Sequence, residues 1–125
     1  MTMNNSAKPK GLTSAQAVRM VDLIQYQEGA VVSRELVKKP AGNVTVFAFD
    51  AGEGLSEHTA PFDALVQILD GEAEIMIAHQ VHRVLTGELM LLPAGQPHAL
   101  NAVHRFKMLL TMIRVEAPNP PPAKA

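Results

Sequence analysis

The chain has no cysteine, which excludes disulfides, thiolate nucleophiles and thiolate-bound metals. It lacks a surplus of charge of either sign, with 11 basic side chains against 12 acidic ones and a formal net charge of −1. That balance gives no electrostatic reason to expect DNA, RNA or an anionic membrane as the partner. Long apolar runs are also absent. The longest, residues 89–92 and 108–113, are far too short to span a bilayer. The first residues, MTMNNSAKPKG, contain no apolar core followed by a cleavage site, so the expected location is the cytoplasm, reached by elimination. No nucleophile, base and orienting group stand out as a set, and hydrolase chemistry has no support. What is present is 125 residues with 47% apolar and 18% charged side chains. That is enough for one globular domain with a core of its own.

Turn signals cut the chain into short β-rich runs. Residues 1–20 form a polar leader in which Thr13 or Ser14 can cap a short helical turn over 15–24, anchored by Leu23, Ile24 and Tyr26. The other end, 117–125, holds four prolines and cannot join a ladder, so it is expected to be a loose tail. Between them, 31–36 and 44–49 are strand-like and flank the turn 38–43. Asp50–Gly54 is another turn. The apolar run 64–69 ends at Asp70-Gly71, a dipeptide typical of tight hairpins. Residues 72–77 then alternate, with Ala73, Ile75 and Ile77 on one face and Glu72, Glu74 and Met76 on the other. Residues 78–81 turn the chain, 82–85 bring it back, 89–92 stop at Pro93-Ala94-Gly95, and 106–115 is a last long strand. Strands about every ten residues, with no helical period between them, predict an all-β sandwich or barrel over 21–116. Runs 89–92 and 108–113 are apolar on both faces. Their outward side therefore needs a cover, either the N-terminal segment or a second copy in a homodimer.

Two spacings carry a family resemblance. Gly52-x5-His58 with the later Gly71 resembles the first cupin motif, and Gly87-x5-Pro93-x-Gly95-x2-His98 resembles the second. Together they cover about residues 52–102, and the chain looks like the small single-domain bacterial cupins of the RmlC-like, cupin type-2 barrel kind. The resemblance implies a double-stranded β-helix, or jelly roll. It also implies that side chains from two hairpins meet at one mouth of the barrel, where imidazoles can share a divalent ion such as Mn, Fe, Ni or Zn.

The chain departs from the family at the ligand positions. Ala60 stands where the second histidine belongs, Ala64 where the carboxylate belongs, and Ala102 where the closing asparagine belongs, with Asn101 beside it. His58 and His98 remain as the candidate ligand-binding and metal-ligating residues. Asp63, one position from the expected acid, reaches the site only if a bulge turns it inward. Glu57 should point the opposite way from His58, and Gln67 would need a shift of register. His104 lies about 20 Å from His98 along an extended strand, too far to share an ion. His79 and His82 are expected at the surface, and the methionines Met76, Met90, Met108 and Met112 as packing rather than copper ligands.

Three functions stay open: a barrel binding a small molecule, with a divalent metal or with none; a metal-dependent oxygenase or an isomerase using a histidine base; and a structural barrel without a site. The missing ligands favour the first.

Overall fold

The computed structural model describes residues 11–115, so half of the expected leader (1–10) and the proline-rich tail lie outside the described residues. Eight strands follow one another: β1 (Val31–Lys39), β2 (Gly42–Phe49), β3 (Gly54–His58), β4 (Phe62–Ile77), β5 (Gln80–Leu85), β6 (Leu89–Leu92), β7 (His98–Asn101) and β8 (Phe106–Arg114). All pairings are antiparallel. One sheet runs β1-β2-β8-β4-β6 and uses the first half of β4. The other runs β5-β4-β7-β3 and uses its second half. The two sheets face each other as the double-stranded β-helix that the motifs predict. Their inner faces supply one core of Phe49, Ala64, Val66, Ile68, Ala73, Ile75, Val84, Leu92, Leu100, Ala102, Phe106 and Met108. The alternation in 72–77 holds, with Ala73 and Ile75 inside.

One sequence expectation fails in an informative way. Asp70-Gly71 is not a hairpin turn, because β4 runs unbroken through it and only bends from one sheet into the other. The register against β8 slips between Ile68 and Asp70, which is a β-bulge. Gly71 has φ +75° and stays paired to Phe106, while its carbonyl accepts a 2.6 Å bond from the Thr86 hydroxyl. The true two-residue hairpin lies at Ala78 and His79, with φ of 49° and 66°, between β4 and β5.

The expected helical turn over 15–24 shrinks to a 3-10 turn at Met20–Asp22. No side chain caps it, and the segment is instead tied to the barrel by cations. The Lys107 Nζ, on a residue only 7% exposed, donates to the Val21 carbonyl at 2.7 Å, and Arg34 donates to the carbonyls of Leu23 and Gly11. The Tyr26 hydroxyl donates to Asp70 at 2.6 Å; burial, with that bond added, pushes its pKa up. Val21, Leu23, Ile24 and Tyr26 thus cover the outer side of Leu36, Val46, Ala48 and Leu69. They leave Leu89, Leu91 and Ile113 uncovered, at 61%, 52% and 51% exposure.

Candidate functional site

His58 closes β3 and His98 opens β7, and the two are register partners. Directly opposed residues in an antiparallel pair project to the same face. That face is the inner one, because Leu100, two residues on from His98, is buried in the core. The slip in register between Leu55 and His58 does not undo the pairing at the strand end. The ring centroids lie 4.4 Å apart with planes at 65°. His98 is buried and His58 is exposed, so the pair reaches from the edge of the core to solvent.

Each ring is oriented by the backbone. The Nδ1 of His58 lies 2.7 Å from the carbonyl of Ser56, and that of His98 lies 3.1 Å from the carbonyl of Gln96. A carbonyl only accepts, so each Nδ1 carries a proton and, in the neutral ring, Nε2 is the acceptor. Burial pushes the pKa of His98 below the usual histidine value; the Gln96 carbonyl opposes this shift and the neighbouring His58 adds to it. In its neutral form each ring therefore offers Nε2 as an acceptor.

The loop that aims His98 is pinned on both sides. The amide of Gly95 donates to the Ala60 carbonyl at 3.0 Å, and Ala78 donates to the Pro97 carbonyl at 3.2 Å. Asp63 Oδ1 accepts the amide of Ala94 at 2.9 Å. The role seen for Asp63 is therefore to hold this loop.

The other sequence candidates are not brought together with the pair. Glu57 is exposed, and Gln67 faces outward at a cleft of about 270 Å³ under Arg19, Met20 and Val21. His104 sits in the loop before β8, with Nε2 3.9 Å from Glu72. His79 is exposed in the hairpin. His82, expected at the surface, is half-buried opposite Ile75 and shares its inward face. Ala64 is 5% exposed and Ala102 fully buried, so both alanines fill core rather than line an open ligand position. Among the described residues no three His, Asp or Glu side chains converge where they would hold a metal ion. Two imidazoles fall short of the three or four protein ligands of an ordinary site.

Two inward polar residues escaped the sequence reading. Asn43 and Thr45 are paired with Met112 and Leu110, both of which pack on the core. Their signal is the alternation Asn43-Val44-Thr45-Val46, hidden because Asn43 reads as part of the preceding turn.

The AraC-like ligand-binding domain family matches residues 42–119. A conserved protein of unknown function from Streptococcus pyogenes is 36% identical, with a TM-score of 0.81, over 91% of this chain and 100% of that one. A cupin superfamily protein from Desulfitobacterium hafniense is 30% identical, with a TM-score of 0.79, over 87% and 100%. A cupin 2 conserved barrel domain protein from Leptotrichia buccalis is 42% identical, with a TM-score of 0.73, over 75% of this chain and 46% of that one. No curated protein matches the chain.

Proposed function

Because the chain belongs to the AraC-like ligand-binding family of cupin barrels, we propose that it binds a small organic molecule at the barrel mouth through His58 and His98. The observation that carries this is the pair of imidazoles 4.4 Å apart, each with Nδ1 turned to a backbone carbonyl. Two fixed acceptors beside an apolar barrel suit a ligand that brings hydroxyl or N–H donors. The test is ¹⁵N NMR of the histidine rings during titration with pools of small metabolites. A bound molecule should move the Nε2 signals of both rings while the Nδ1–H tautomer persists. Binding that moves backbone amides elsewhere and leaves both rings unchanged would refute this function.

A second reading keeps a divalent ion at the same place. It is favoured by the Nδ1 contacts, since a metal-bound histidine commonly donates its other N–H to a carbonyl. His58 and His98 would hold the ion and water would complete its shell, the ion supplying a Lewis acid to a bound ligand. Protein loaded with Mn, Fe, Ni or Zn and passed through gel filtration tests it. Metal kept by wild type and lost in both His58→Ala and His98→Ala supports the ion; no metal in wild type eliminates it.

The proposal extends to a homodimer, in which a second copy covers Leu89, Leu91 and Ile113.

A further inference from the structure

The barrel mouth has a second polar wall that the family motifs do not contain. Asn43 and Thr45 face inward from β2, at the end of their sheet where β4 begins at Phe62 and β8 ends at Arg114. The same end receives the histidines, because only three residues separate His58 from the start of β4 and the 93–97 loop joins β6 to His98. Both Asn43 and Thr45 are half-buried. The Thr45 hydroxyl donates to Asn43 Oδ1 at 3.4 Å, which orients the amide. Asn43 Nδ2 then has no hydrogen-bond partner among the described residues, and neither does either histidine Nε2.

The two walls differ in chemistry. The imidazole wall only accepts, while the asparagine wall offers two N–H donors. Leu110 and Met112, partly buried against the core, supply apolar surface beside them. Polar groups of opposite kind on facing sheets can both be satisfied by one molecule.

Building on the proposed function, we propose that the ligand bridges the mouth: a hydroxyl or N–H at one end donates to a histidine Nε2, and a carbonyl-type oxygen at the other accepts from the Asn43 amide. Its body is apolar. Asn43 is the specificity-determining residue, and Thr45 positions it.

Three probes separate the contributions. 4-Hydroxybenzamide has both groups on one ring, phenol has only the donor, and benzamide lacks the hydroxyl. Each is titrated into the full chain and followed by NMR of the Asn43 side-chain amide and the two histidine rings. One neutral hydrogen bond is worth about fivefold in affinity. 4-Hydroxybenzamide should therefore bind about fivefold more tightly than phenol. Asn43→Leu, which nearly keeps the size and removes both the donors and the acceptor, should abolish that advantage without weakening phenol, and Asn43→Ala should do the same if the first change disturbs the fold. His58→Ala and His98→Ala should weaken phenol and 4-hydroxybenzamide alike. If Asn43→Leu and Asn43→Ala keep the full advantage while the histidine variants weaken binding, the second wall is refuted and the histidine site stands. If 4-hydroxybenzamide moves neither wall, or if the histidine variants bind all three probes as wild type does, the bridging ligand and the histidine site both fall.

Discussion

Replacing Gly71 by alanine separates the two jobs that a glycine does in this barrel. At φ +75° an alanine incurs the left-handed penalty, about 1 kcal/mol. Its Cβ would also press into the carbonyl oxygen of Arg105 and come within 3.0 Å of the Phe106 Cα. Both are backbone atoms at the start of the neighbouring strand β8, Arg105 just before it, so neither can swing aside. Forcing them apart at the bend of β4 costs a further ~1–3 kcal/mol, in the range of overpacked cores. Gly87 is the control, since it has φ +87° and nothing within 4 Å of the place a Cβ would occupy. Urea unfolding should show Gly71→Ala losing about 2–4 kcal/mol and Gly87→Ala about 1 kcal/mol, out of a total of roughly 5–15 kcal/mol for a domain. Equal losses in the two variants would refute the claim that the bend, and not the turn conformation alone, requires glycine at position 71.

Asp63→Ala should cost about 1–2 kcal/mol by removing the acceptor of the Ala94 amide, and hydrogen exchange should quicken in the 93–97 loop. His98 has its pKa lowered in the folded state, so the unfolded chain binds its proton more readily. Stability from this group is fully present above about pH 6.5 and falls as the pH drops below it, levelling off below the folded pKa. Denaturation curves across about pH 5–8 should show that slope in wild type and a weaker one in His98→Gln. Light scattering should report a dimer for wild type and a monomer for Leu89→Lys/Leu91→Lys; a wild-type monomer at micromolar concentration would count against the covered face.

Local pattern made much of this barrel legible. The inward face of 72–77 followed from alternation alone. The motif spacings singled out His58 and His98, which are distant in sequence and become neighbours because β3 and β7 pair. The bend at Asp70-Gly71 was not legible. The same dipeptide serves a reversal or a kink, and the choice rests on Phe106 and Thr86, which lie well away along the chain. The ties of the N-terminal segment were hidden for a similar reason, since Lys107 reaches Val21 across 86 residues. The bond that Asp63 accepts from the Ala94 amide was hidden too, because a backbone partner leaves no residue pattern.

The most direct test of the central claim is small-molecule capture. Wild-type protein and a His58→Ala/His98→Ala variant of unchanged circular dichroism are mixed with a bacterial metabolite extract, passed through gel filtration and examined by mass spectrometry. Wild type should retain at least one small molecule that the variant binds about 25-fold more weakly, as expected for the loss of two hydrogen-bond acceptors. Identical sets of retained molecules on the two proteins would contradict a ligand site at His58 and His98.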